Sequence, residues 1–159
     1  MIEVTHGDLL SAPTEALVNA VNTVGVMGKG IALQFRQAFP EMFRAYATAC
    51  KAGRVCVGKM DVFDRGVAAS GPRWIINFPT KRHWREPSRL GDVEAGLVDL
   101  VATISNLEIR SIAVPPLGCG LGGLQWEEVR PRIEEALSGL ANVKVLIYAP
   151  ISMPAPMQH

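Results

Sequence analysis

The run Thr80-Lys81-Arg82-His83-Trp84-Arg85 sets one lysine among two arginines, a histidine and a tryptophan, directly after the apolar stretch WIINFP. Read alone, such a run is a solvated basic loop. A lysine attacks carbon at neutral pH only if its amine is partly deprotonated, which partial burial or nearby cations promote. Arg82 and Arg85 are close enough in sequence to help. Two glycine clusters, GVMGKG (25–30) and GCGLGG (118–123), each follow an apolar strand-like stretch and precede a helical period. Backbone amides at such junctions point outward beside a helix N-terminus, so each cluster can receive a phosphate. Two such loops suit two linked phosphates.

The named phosphate motifs do not fit. A Walker A loop needs a first glycine where Thr23 stands and a hydroxyl where Gly30 stands. Gly118, Gly120 and Gly123 satisfy G-x-G-x-x-G, but late in the chain, and the strand VKVLIY that follows ends without an acid to hold a ribose. Asn22, closing the stretch ALVNAVN, offers a donor and an acceptor to sugar hydroxyls beside the first loop. Asn19 is expected to bond neighbouring backbone within its strand. A ribose diphosphate fits this set. Cys50, Cys56 and Cys119 are odd in number, without C-x-x-C spacing or a clustered histidine, which argues against disulfides and a zinc site. They read as small packing residues, Cys119 as a loop residue chosen for size.

The elements that position these groups follow from periodicity. Strands are expected at Met1–His6, Glu15–Val21, 60–63, Trp74–Phe78, Ser111–Pro115 and Val143–Pro150. Ile31, Phe35 and Phe39, then Met42, Tyr46 and Cys50, recur every four residues on either side of Pro40 and mark two helices. A long helix spans Leu90 to Leu107. Val129, Ile133 and Leu137 mark a last one, with Pro131 early in it. Trp74 and Trp126 read as core or loop anchors. Alternating strands and helices imply a largely parallel sheet covered on both faces, with ligands at the strands' carboxyl ends.

With 159 residues, 48% of them hydrophobic, the chain suits one domain. Sixteen basic against 15 acidic residues give no global field, so an anionic partner must be held locally. No stretch reads as a membrane span or a secretion signal, which points to the cytoplasm. The tail Ile151–His159 reads as a linker or frayed end.

In their order, GDLL (7–10), ALVNAVN (16–22) and PPLGCGLGGLQW (115–126) resemble the macrodomain family over nearly the whole chain. NTVGVMGKGIALQF (22–35) and NFPTKRHW (77–84) are similar to the branch holding terminal ADP-ribose protein glycohydrolase and the DarG-type bacterial antitoxins. The resemblance implies a three-layer α/β/α fold over residues 1–150, with a central, largely parallel mixed sheet. It implies that Asp8 accepts from the adenine amino group beside the Leu9 amide, and that Tyr148 walls the adenine. Asn22 would contact the distal ribose. Gly28, Lys29, Gly30 and Ile31 would embrace the diphosphate and that ribose from one side; Gly118, Cys119, Gly120, Leu121 and Gly122 would do so from the other. Thr80 would line the substrate site, and Lys81 would be catalytic, as a covalent nucleophile or as a cation stabilising developing charge.

The implied reaction is removal of ADP-ribose from thymidine in single-stranded DNA, reversing a DarT-type toxin, with no metal or cofactor. Trp84 would stack on a base while Arg82, His83 and Arg85 meet phosphates. Contact with the toxin would run through a C-terminal domain outside these 159 residues. One departure stands out: the terminal glycohydrolase carries an aspartate in its second loop, where this chain has Gly122 and Gly123. The other readings are an ADP-ribose reader without turnover, an O-acetyl-ADP-ribose deacetylase, and the interaction half of a toxin–antitoxin pair.

Overall fold

The computed structural model describes residues 1–150; the tail expected to be a linker or frayed end lies outside the described residues. The chain order is β1 (Ile2–Thr5), β2 (Ala16–Asn22), α1 (Gly30–Ala38), α2 (Pro40–Lys51), β3 (Asp61–Asp64), β4 (Trp74–Lys81), α3 (Leu90–Asn106), β5 (Ser111–Val114), α4 (Trp126–Leu137) and β6 (Lys144–Tyr148). The sheet order is β1-β6-β5-β2-β4-β3, parallel throughout except for β3, which runs antiparallel to β4 at one edge.

Period-two alternation divides the core between the two faces. Val18, Ile76, Phe78 and Ile112 pack against Val93, Leu97 and Leu100 of α3 and Val129 and Ile133 of α4. Leu17, Val21 and Ile75 turn the other way, onto Phe35 of α1 and Met42 and Tyr46 of α2. This is the α/β/α sandwich that the alternation of elements predicts.

Several local expectations are corrected. Asn19 does not bond strand backbone. Its Nδ2 lies 3.2 Å from Asn77 Oδ1, and Asn77 Nδ2 lies 3.1 Å from Asp61 Oδ2. Asn19 faces Asn77 in the β2–β4 register, and Asn77 faces Asp61 in the β3–β4 register. A polar ladder therefore crosses three strands inside an apolar layer and fixes their registers, because a one-residue slip would leave buried amides unpaired. Pro131 sits within α4 rather than at its start, and Cys56 is exposed rather than packed.

The correction that matters most lies in β4, which continues past Pro79 to Lys81. Pro79 is tolerated because the pairing with β3 ends at Asn77, so no ladder bond on that side needs its missing N–H. The β2–β4 register then shifts: Val21 pairs with Pro79 and Asn22 with Lys81, so Thr80 is the extra residue of a bulge. The bulge places Lys81 beside Asn22.

Asn77→Ala strands the Asn19 amide in the core. A loss of about 1–3 kcal/mol is expected, read as a lower urea midpoint at unchanged slope.

Candidate active site

β5, β2 and β4 are adjacent and parallel, so the segments leaving their carboxyl ends converge: the first glycine loop after β2, the Arg82–Arg89 segment after β4, and the second glycine loop after β5. β2 pairs with β5 only through Ala16–Ile112 and Leu17–Ala113, then runs on from Val18 to Asn22 without a partner on that side. The two loops border this split between the strand ends, a crevice in the sheet's pairing. The chain passes from β2 to β4 on one side and returns through α3 to β5 on the other, which is the switch point at which open α/β sheets bind ligands.

The first loop rests on Asn22. Its Oδ1 accepts from the Val24 amide at 3.1 Å and the Val26 amide at 3.4 Å, and its Nδ2 donates to Val26 O at 2.8 Å. The Asn22 amide thus shapes its own loop and keeps one N–H uncommitted. Gly28, Lys29 and Gly30 are exposed and Ile31 half-buried. Lys29 is the N-cap of α1 but makes no side-chain cap, leaving the first amides of that helix open to an anion.

The second loop gains less from its helix. α4 begins with Glu127 and Glu128 in its first turn, which oppose an anion, so the loop depends on its own amides. Gly118 and Gly122 are buried; a Cβ at Gly118 would collide with Leu124 and press on Ser88, and one at Gly122 would collide with Ser88 Oγ. The Ser88 amide also donates to Gly122 O at 2.9 Å. Ser88 is 5% exposed and its hydroxyl has no partner. This packing gives the physical reason why position 122 carries no carboxylate. Leu121 leans across the crevice, its Cδ1 3.5 Å from where a Cβ on Gly30 would lie. Cys119 is half-buried, and burial first, then Glu127, push its thiol up to about 11, so it is no thiolate at neutral pH.

Lys81 closes the crevice. Its Nζ donates to Trp84 O at 3.3 Å and Leu121 O at 3.4 Å, both long bonds that a ligand can replace. Burial holds the amine below the usual lysine range. The expected help from the arginines is absent: Arg82 is paired with Asp92 at 2.9 Å, and Arg85 lies 4.5 Å over the Trp84 ring. Arg82 would meet a phosphate only with Asp92 already on its guanidinium. Trp84 is 42% exposed and stacks with His83 at 5.3 Å. Thr80 is 3% exposed, its hydroxyl turned to Val21 O at 3.4 Å, so its side chain does not line the crevice.

At the far end, Asp8 caps a short 3-10 turn (Leu9–Ser11), accepting from the Leu10 amide at 3.2 Å and from Ser11 Oγ at 2.7 Å. Leu9 is buried. Tyr148 pairs in register with Thr5, three residues before Asp8, and burial, then Asp8 and Glu3, raise its phenol. The structure also supplies residues that periodicity alone missed. Thr23 Oγ1 donates to Arg82 O at 2.6 Å, tying the first loop to the basic segment. Asp92 is readable as an acid in a helix's first turn, but nothing in the sequence marks Ser88. Among the described residues, no group of three His, Cys, Asp or Glu can hold a metal ion, and no helix is long and apolar enough to cross a membrane.

Gly122→Ala forces Ser88 aside and is expected to cost about 1–3 kcal/mol in a thermal or urea melt. Combining it with Ser88→Gly, which removes the colliding atoms, returns most of that loss.

A family model for the Macro domain matches residues 18–133. The DNA ADP-ribosyl glycohydrolase of Thermus aquaticus is 58% identical over 154 residues, covering 97% of this chain and 42% of that protein. The Mycobacterium tuberculosis protein of the same name is 59% identical over 150 residues, 94% of this chain and 42% of that one. The chain thus spans about two-fifths of the length of these curated relatives. Among solved structures, the macrodomain of Mycobacterium tuberculosis DarG superposes with a TM-score of 0.92 at 59% identity, covering 94% of this chain and 98% of that one. Thermosipho africanus DarTG in complex with ADP-ribose gives 0.87 at 36% identity, covering 98% of this chain and 43% of that one. The α/β/α sandwich, the family model over residues 18–133 and these relatives at 58% and 59% identity together mean that this chain belongs to the macrodomain family.

Proposed function

We propose that this chain binds ADP-ribose and removes it from thymidine in single-stranded DNA, through a domain spanning residues 1–150. Relatives named DNA ADP-ribosyl glycohydrolase at 58% and 59% identity support the reaction, and the DarTG structure with ADP-ribose supports the ligand. The observation that carries the reading is Lys81: an amine with a lowered pKa, beside Asn22, at the mouth of a crevice between two amide-lined loops.

The ligand lies across the strand ends in this reading. β6 and β4 are separated by three strand spacings, roughly 14 Å, a distance that a nucleotide joined through two phosphates to a second sugar can span. Adenine sits by Asp8, the Leu9 amide and Tyr148. Gly28–Ile31 and Gly118–Gly122 hold the diphosphate and the distal ribose, which falls beside Lys81. Neutral Nζ attacks C1 of that ribose, the bond from C1 to the thymine nitrogen breaks, and the departing charge spreads over the thymine carbonyls. Water then displaces the lysine from C1, releasing ADP-ribose and restoring the amine. The spread of charge lessens the need for the acid that Gly122 cannot carry. Trp84, flanked by His83 and Arg85, provides a stacking surface for an unpaired base. The partner is a DarT-type toxin whose modification this activity reverses, and the compartment is the cytoplasm.

A thymidine oligonucleotide bearing ADP-ribose tests the reaction: wild type frees ADP-ribose, and Lys81→Ala is slower by about a hundredfold or more. Binding of free ADP-ribose without turnover of the oligonucleotide would leave a reader module instead.

The pH profile separates the two roles of Lys81. A nucleophile must be neutral, so its rate rises with pH until the amine's lowered pKa is passed; an electrostatic cation gives a rate that falls over the same interval.

A further inference from the structure

Tyr46, in the middle of α2, is fully buried among Phe35, Met42 and other apolar side chains. A phenylalanine would fill that space without a hydroxyl to satisfy, and a buried hydroxyl is costly unless it is bonded. The Tyr46 hydroxyl donates to Asn22. Its Oη lies 2.7 Å from Asn22 O and 2.9 Å from Asn22 Oδ1. That Oδ1 is the same atom that accepts from the Val24 and Val26 amides, while Nδ2 of the same group donates to Val26 O. The phenol therefore grips from beneath the amide that closes the first glycine loop.

Two further observations tie α2 to this loop. A Cβ on Gly25 would lie 3.6 Å from Cys50 Cβ and 3.8 Å from Ala47 Cα, so one face of α2 is the floor on which the loop rests. Burial, followed by Cys50, drives the Tyr46 phenol far up, so the hydroxyl keeps its proton and remains a donor throughout the working pH range. Asn22 is also the register partner of Lys81, so its placement bears on both the anion cradle and the amine.

We propose that Tyr46 is a positioning residue of the crevice: acting through Asn22, its hydroxyl holds the Thr23–Val26 turn in the geometry that presents the first loop's amides to a diphosphate. The proposal rests on the ADP-ribose reading above. Tyr46 itself touches no ligand. Loss of the hydroxyl loosens ground-state and transition-state binding alike, so KM responds more than kcat.

Tyr46→Phe keeps the ring and removes only the hydroxyl. Calorimetry with free ADP-ribose is expected to show about tenfold weaker binding, KM on the modified oligonucleotide rises by a similar factor, and kcat changes by less than about threefold. Hydrogen exchange at the Val24 and Val26 amides speeds up in the unliganded variant relative to amides of β5 and β6, which report global stability. In an Asn22→Ala background the same substitution adds little further loss, as expected of two residues acting as one unit. A lower melting temperature with binding within twofold of wild type and unchanged exchange at Val24 and Val26 would overturn the proposal, leaving Tyr46 as packing alone. If wild type itself fails to bind ADP-ribose, the functional reading falls, while the two amides, which need no ligand, still decide the role of Tyr46. Should the phenylalanine variant not fold, Asn22→Leu leaves the tyrosine in place and removes the oxygen that it shares with the loop; protected amides at Val24 and Val26 there would also overturn the proposal.

Discussion

The short pairing between β2 and β5 is the constraint on which the rest of the site depends. Two central parallel strands that part after Leu17 and Ala113 cannot close the sheet over their carboxyl ends. The two loops bordering the gap hold seven glycines, at 25, 28, 30, 118, 120, 122 and 123, which leave backbone along much of its rim. What fills such a space must satisfy amides on both walls, and a chain of phosphates does so without requiring a buried cation.

A cradle of amides works only if the amides stay where they are, and both loops are held from below. Asn22 closes the first across Val24 and Val26. Ser88 supports the second by filling the space under Gly118 and Gly122 and donating to Gly122 O. The basic segment links the two, through Thr23 to Arg82 on one side and Lys81 to Leu121 on the other. The charges that look most like ligand contacts in the sequence are largely used within this frame: Arg82 is neutralised by Asp92, and Arg85 lies on Trp84. Lys81 differs in that both its partners are neutral carbonyl oxygens at long range, so its amine is held in place without an opposing charge.

The bulge at Thr80 shows how a small backbone irregularity sets chemistry. Without the extra residue, Asn22 would face Thr80 and the lysine would lie one position further from the crevice. With it, Thr80 turns inward to Val21 O and Lys81 stands opposite Asn22. Pro79 can precede the bulge because the pairing of β4 with β3 stops at Asn77. The polar ladder of Asn19, Asn77 and Asp61 fixes the register three residues before Thr80, so the bulge falls at one place.

Most of the architecture was legible in the sequence, because period-two strands, period-four helices and glycine junctions are local signals that the backbone reads over a few residues. The same holds for the two loops and for the basic segment as a chemical unit. Three things were decided only by the tertiary structure. A proline in a strand reads as a stop, which puts the end of β4 at Phe78; only the point where its pairing with β3 stops shows that the missing N–H is harmless. A side-chain amide serves backbone, ligand or another amide equally well, so only the surrounding atoms choose the partner of Asn19 and the loop that Asn22 closes. Ser88 left no trace at all, since its role is to occupy volume beneath two glycines thirty and more residues away, and exclusion between distant segments has no periodicity to betray it. The sequence alone thus fixed which groups are available and the order in which the strands present them; the folded chain decided which of them are free, because hydrogen bonds and packing are settled by neighbours in space.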